Sequence, residues 1–159
     1  MLARVFQAAA VAASAVAIVA LAALAAVTVV DVAGRYILNK PLFGAIEMSE
    51  FLMVILSFGG LALAELRNSH ITVDFFLGAV PERARALLEA AGALLGVAFW
   101  GFVSWRATVH AGRIWEAGEV SANLAIPTWP FYLAVTIGCG LLAIALIGRT
   151  IRFLRIGFA

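Results

Sequence analysis

The sequence predicts an all-α integral membrane protein with four transmembrane helices, short interfacial amphipathic segments and both termini in the cytoplasm. Hydrophobic residues make up 65% of the 159 residues and charged residues only 13%, against about 25% charged residues in soluble domains. The charges are clustered and leave four apolar runs, the third interrupted only by Glu89: 5–30, 51–64, 87–105 and 120–148. Because about 20 apolar residues cross the hydrocarbon core, we expect one membrane domain over residues 1–159.

Span one is predicted over 5–38 and span two over 43–66. Span one ends at "NKP" (39–41), because proline disfavours a helical conformation in the residue before it. Its apolar run is longer than the roughly 7–15 residues of a signal-peptide core, which favours an uncleaved helix. Span two contains Gly60 and Ala64, a pair of small residues four apart that is typical of close helix packing in membranes.

Span three is predicted over 81–108 and span four over 127–148. Pro81 is a favourable first helical residue, and Gly92 and Gly96 form a second pair of small residues at the packing spacing. Span four begins with Pro127 and Trp129, and residues 149–159 form a basic cytoplasmic tail. The small-residue pairs are candidate seams, either within the chain or against a partner.

The distribution of positive charge predicts the orientation. Four spans place the termini and the middle loop on one side, with seven Lys and Arg residues, against four on the other side. The positive-inside rule therefore predicts cytoplasmic termini. Aromatic residues fall on the predicted outer side, where their rings suit the headgroup layer: Tyr36, Trp100, Trp105, Trp115, Trp129 and Tyr132.

Two connecting segments mix apolar and charged residues. The inner segment, 70–85, contains Phe75 and Phe76, and the outer segment, 106–127, contains Ile114 and Trp115. Such amphipathic segments can lie in the plane of the membrane interface. The alternative is that they are frayed ends of the neighbouring spans.

Four polar residues near the outer boundary are candidates for a structural or partner contact. Asp31 and Arg35 are four apart with the acid first, the better order for an ion pair on a helix. Glu47 and Glu50 share a face of span two, and the short connection brings the two helix ends together. We expect the four residues to form a cluster with surplus acid, which invites a base from span three or from another protein. The alternative is that the carboxylates extend into water.

Several functions are disfavoured by the residues themselves. Cys139 is the only cysteine, so thiol redox chemistry is not expected. His70 and His110 lie on opposite sides of a hydrocarbon core about 30 Å thick and cannot ligate one haem iron. Neither histidine has a second ligand at metal-binding spacing, and no basic stripe indicates nucleic acid. We therefore expect no enzyme activity, metal or cofactor.

The pairs Arg85–Glu89 and Glu65–Arg67 are expected to stabilise helix ends at the inner side.

Four sequence motifs, in this order and spacing, resemble the small permease (Q) subunit of TRAP transporters, the tripartite ATP-independent periplasmic carriers. They are "DVAGRYILNKP" (31–41), "GAIEMSE" (44–50), "LALAELRNSHITVDFF" (61–76) and "SANLAIPTWPFY" (121–132). The resemblance covers nearly the whole chain, and the polar positions that recur in the family match Asp31, Arg35, Glu50, His70 and Asp74.

The resemblance implies a non-catalytic subunit in the bacterial inner membrane. Its partner would be a large permease (M) subunit that moves like an elevator and holds the substrate and sodium sites, while this chain enlarges the fixed scaffold. A periplasmic binding protein would deliver an organic anion, often a carboxylate, and could touch the Trp-rich outer rim. Besides lipid, these are the expected partners, and the sequence does not identify the substrate.

Two other functions remain open at this point. An autonomous small transporter or channel that forms homo-oligomers would need an ionisable residue deep within a span, whereas only Glu89 interrupts a run, and it lies near one end. A membrane anchor for a redox enzyme is disfavoured by the placement of the two histidines.

Overall fold

A computed structural model of the chain describes residues 2–66 and 81–158. These residues form five helices: α1 (Leu2–Leu38), α2 (Ala45–Gly59), α3 (Leu61–Leu66), α4 (Glu82–Ala117) and α5 (Trp129–Phe158). Four stretches are long and apolar enough to cross a membrane: Val5–Leu38, Ala45–Leu66, Ala84–Ala117 and Trp129–Ile156. The predicted all-α fold with four membrane-spanning helices is confirmed.

The end of α1 is set by its last residues. Asn39 adopts a positive φ of 50°, a conformation that glycine and asparagine commonly supply after a helix. The backbone N–H of Lys40 then donates to the carbonyl of Gly34 at 3.0 Å. A side chain at Gly34 would lie 2.7 Å from the Lys40 carbonyl oxygen, so the glycine permits this return of the chain. The following residues lead directly into α2. We call this the outer end, after the predicted orientation.

Span two is divided where the sequence predicts one continuous helix. α2 ends at Gly59 and α3 begins at Leu61, with Gly60 between them at φ −88° and ψ −17°. The N–H of Ala64 still bonds to the carbonyl of Gly60 at 3.1 Å. Because Gly60 keeps nearly helical angles, the interruption is local and the chain continues along the same span.

The helices form two packed pairs, α1 with α2 and α4 with α5, and α2 and α3 join the pairs by contacting α5. Among the described residues, twelve of the sixteen buried apolar residues are alanines. Small side chains let helix backbones approach closely, which supplies the packing that holds membrane helices together. Larger apolar side chains, such as Ile18, Val19 and Leu95, point outward and are more than half exposed.

α4 and α5 are longer than the predicted spans. α4 continues past the expected end at residue 108 to Ala117, and α5 continues past residue 148 to Phe158. Ala111 and Ile114 are buried in the extension of α4, so tertiary packing favours the helix there. Residues 106–117, expected in an interfacial segment, thus continue the span. The other expected interfacial segment lies largely outside the described residues.

Candidate functional site

Asp31 joins α1 to the start of the next helix. Its Oδ2 forms an ion pair with Arg35 at 2.8 Å, and its Oδ1 accepts a hydrogen bond from the backbone N–H of Leu42 at 2.9 Å. The Asp31 side chain is 15% exposed and that of Arg35 51% exposed. One carboxylate therefore fixes both the last turn of α1 and the connection that leads into α2. The predicted Asp31–Arg35 pair is confirmed.

Glu47 is buried in the first turn of α2 and binds a distant part of the chain. Its Oε1 accepts hydrogen bonds from the backbone N–H of Asn123 at 2.7 Å and from Nδ2 of the same residue at 2.8 Å. Its Oε2 accepts one from the backbone N–H of Leu124 at 3.0 Å. Hydrogen bonds to an ionised acceptor are stronger than those between neutral groups. Glu47 thus holds the outer loop, residues 118–128, on the helix bundle.

The outer loop has its own internal structure. Gly118 ends α4 at φ 64°, and Val120 and Pro127 form a single antiparallel bridge. Between them, the N–H of Ser121 donates to the carbonyl of Ile126 at 2.9 Å, and the Ser121 hydroxyl accepts from the Ile126 N–H at 3.2 Å. These bonds close a tight turn and present the backbone N–H groups of its tip to Glu47.

The four outer candidates do not form the single cluster that the sequence predicts. Asp31 and Arg35 meet, whereas Glu47 turns to the outer loop and is satisfied by neutral N–H donors rather than by a base. Glu50 is exposed, and no described residue forms a hydrogen bond or ion pair with it. Glu50 and Asp31 nevertheless line one shallow groove between α1 and α2. The surplus acid is therefore located at Glu50.

Aromatic contacts complete the outer end. Trp115 at the end of α4 meets Trp129 at the start of α5 edge to face, with ring centroids 4.7 Å apart. His110 and Tyr132 make a second edge-to-face contact, also at 4.7 Å. The sequence singled out both tryptophans for the outer rim, and the structure shows that they bind each other across the loop. Trp115 is still 62% exposed.

A charged cluster at the inner end escaped the sequence reasoning. Arg149 on α5 pairs with Glu65 on α3 at 3.1 Å and with Glu89 on α4 at 3.5 Å. Arg85 pairs with Glu89 at 3.3 Å, as predicted, and Glu65 is only 5% exposed. We call these four residues the inner cluster. The four residues lie near the inner ends of predicted spans two, three and four. Their similar depth in the membrane could therefore have identified the inner cluster from the sequence.

Of the three predicted glycines, only Gly96 makes a close helix contact, and two glycines that were not predicted, Gly59 and Gly138, make others. A Cβ on Gly96 would touch the Leu146 side chain at 2.9 Å, but one on Gly60 or Gly92 would meet nothing within 4 Å. A Cβ on Gly59 would lie 2.8 Å from the carbonyl oxygen of Ala13, and one on Gly138 would collide with the Phe58 carbonyl. Gly59 and Gly138 are therefore the seams of α2 with α1 and with α5, which the small-residue spacing did not identify.

Two of the remaining candidates cannot be placed. His70 and Asp74 lie outside the described residues, as do Phe75, Phe76 and Arg67. Within the described residues, no group of three His, Cys, Asp or Glu side chains is arranged to hold a metal ion. The charged residues among the described contacts join helices and a loop at the two ends of the bundle, and Ser104 adds a hydrogen bond from its hydroxyl to the Thr136 carbonyl at 2.9 Å between α4 and α5. This arrangement defines a multi-pass membrane protein with a stabilised outer loop and inner end.

The family to which this membrane protein belongs follows from comparison with known proteins. The model of the DctQ component of tripartite ATP-independent periplasmic transporters matches residues 24–156. The chain belongs to this family, the small TRAP permease subunit that the motifs resemble, which is a transporter component and not an enzyme. A relative, the ectoine TRAP transporter small permease protein TeaB of Halomonas elongata, is 25% identical over 110 residues. The match covers 69% of this chain and 57% of that relative.

Proposed function

We propose that this chain is the small membrane subunit of a binding-protein-dependent transporter in the bacterial inner membrane, with both termini in the cytoplasm. The observation that carries the proposal is the family match over residues 24–156. The partners are a large permease subunit in the same membrane and a periplasmic substrate-binding protein. The position of the tryptophans at the outer rim makes Trp115 a candidate contact for the binding protein.

The role that suits the structure is a fixed scaffold for the large subunit. An elevator mechanism moves one part of a transporter through the bilayer while another part stays in place. The two ends of this bundle are tied by Glu47 at one side and by Arg149 at the other, which resists sliding of its helices past one another. Its exposed apolar helix faces supply surface for lipid and for the large subunit.

In this proposal the transported solute is an organic anion, best sought among carboxylates, and sodium coupling resides in the large subunit. The relative TeaB is named for ectoine transport. Recognition of the substrate belongs to the binding protein and the large subunit in this proposal. Substitutions in this chain should consequently change the amount of uptake more than its selectivity.

The proposal is tested by purifying the tagged chain from its native host in mild detergent and identifying the proteins that co-purify by mass spectrometry. We expect a large membrane protein in stoichiometric amount. The binding protein that belongs to this partner then indicates which solutes to test in uptake assays. Recovery of this chain alone as a homo-oligomer would contradict the scaffold role. Glu47, Glu50 and Glu89 would then be the first residues to test for ion coupling.

A further inference from the structure

Glu50 is a charged residue on an apolar, exposed face of α2. Its side chain is exposed, and among residues 2–66 and 81–158 none bonds or pairs with it. Ile46, one turn toward the outer end, is 67% exposed, and Phe43 before it is 69% exposed. Apolar side chains therefore continue outward past Glu50. Glu50 therefore lies inside the candidate membrane span Ala45–Leu66, more than one helical turn from its outer end.

A carboxylate at that depth is costly unless it is paired. Within the described residues, none of the four outer-end cations, Arg35, Lys40, Arg106 and Arg113, forms an ion pair with Glu50. Arg35 is engaged by Asp31 at 2.8 Å, and the guanidinium of Arg106 lies over the Trp105 ring, 5.9 Å from its centroid. Asp31, Glu50 and Arg35 together leave this face with one uncompensated negative charge. A cation supplied by another molecule would compensate this charge.

The surface around Glu50 has the shape of a helix-binding site. One groove, between α1 and α2, is lined by Thr28, Asp31, Ser49 and Met53. A second groove, between α2 and α5, is lined by Phe51, Val54, Phe131 and Tyr132. Glu50 lines both grooves and forms the ridge between them. We call this surface the Glu50 face.

We propose that the Glu50 face binds a transmembrane helix of the large permease subunit, and that this helix places a Lys or Arg side chain against Glu50. The inference rests on the proposed function and adds the contact surface and the chemistry of the partner. A second copy of this chain fits less well, because a two-fold interface puts the same patch on both sides. Glu50 would then face Glu50, and like charges would repel each other.

The contact is tested by photo-crosslinking in the assembled transporter. Cys139 is the only cysteine, so a Cys139→Ala background allows single cysteines to be placed and labelled with a benzophenone maleimide. We expect Ser49→Cys and Met53→Cys to crosslink to the large subunit. The matched control is Phe102→Cys on α4, which is 58% exposed and lies on another face, and we expect little or no crosslinking from it. Crosslinks from positions 49 and 53 to a second copy of this chain, or to no protein, would overturn the inference.

The charge is tested separately by substitution. Glu50→Lys should lower the amount of co-purified large subunit by about tenfold or more, since it sets two cations against each other, and Glu50→Gln should lower it less. Glu116→Lys, the same charge change at an exposed position on α4, is the control and should leave the yield unchanged. Wild-type yield with Glu50→Lys would overturn the inference while leaving the proposed function intact. Failure of the unaltered chain to recover any large subunit would instead refute the proposed function.

Discussion

Glu47 connects two parts of the chain that are more than seventy residues apart. Its two oxygens accept three hydrogen bonds from Asn123 and Leu124. All the donors are neutral, two of them backbone N–H groups at the tip of the outer loop. A carboxylate is the side chain best able to accept several such bonds at once, because it has two acceptor oxygens and no donor. Glu47 therefore attaches the tip of the outer loop to the helix bundle.

Glu47→Gln should loosen the outer loop. The amide nitrogen of glutamine is a donor and would face the N–H groups that Glu47 accepts, so at least one bond is lost. We expect the midpoint of thermal unfolding to fall by about 2 °C or more and the loop 118–128 to become more susceptible to proteolysis. Glu116→Gln, at an exposed position, is the matched control. An unchanged midpoint and cleavage rate for Glu47→Gln would show that the loop does not need the carboxylate.

The sequence allowed some of these residue contacts to be predicted. The Asp31–Arg35 pair was predictable because both residues lie on one helix, where spacing determines proximity. The partners of Glu47 were not, because the hydrogen-bond donors lie in a loop whose position depends on how α2 packs against α5. The sequence marked Glu47 as a polar candidate and assigned it the wrong neighbours.

At the scale of the helices, close packing depends on where backbones approach each other. Gly59 faces the carbonyl of Ala13 on α1, while Gly60, the next residue, faces open space. Spacing alone favoured Gly60, since it pairs with Ala64. The direction in which each residue points relative to α1 decides the contact, and a single sequence does not contain that rotation. The apolar runs predicted the helices, and the small-residue spacing predicted Gly96 at the contact with Leu146. The seams at Gly59 and Gly138 and the extension of α4 to Ala117 depend on how the helices pack.

Two adjacent glycines provide a test of this packing. Gly59→Ala would bring a methyl group to 2.8 Å from the Ala13 carbonyl oxygen and 3.0 Å from the Ala17 Cβ, so α1 and α2 have to separate. Overpacking of this kind costs about 1–3 kcal/mol. Gly60→Ala meets nothing within 4 Å and should have little effect. Thermal unfolding in detergent measures both, and equal midpoints for the two variants would contradict the assigned seam.

At the scale of the whole molecule, the described ion pairs and the Glu47 contacts lie at the two ends, and small residues are common among the buried residues between them. The outer end is closed by Glu47 and the loop, and the inner end by Arg149 between Glu65 and Glu89. Removing one member of such a buried network is strongly destabilising, because it leaves the other charges uncompensated. The bundle is therefore held most firmly where the bilayer meets water. This arrangement suits a part that stays fixed in the membrane.

The positive charges predict the orientation of the bundle, and labelling of cysteines can measure it. Arg149 is engaged in the inner cluster, but Arg152 and Arg155 remain exposed at the end of α5. We expect this end of α5 to lie in the cytoplasm.

In a Cys139→Ala background, we expect Ala122→Cys in the outer loop to react with a membrane-impermeant thiol reagent on intact spheroplasts. Ile156→Cys at the end of α5 should react only after the membrane is permeabilised. Both positions are exposed, so a difference in labelling reports the side of the membrane. The reverse pattern would place the outer loop in the cytoplasm and would remove Trp115 as a contact for a periplasmic binding protein.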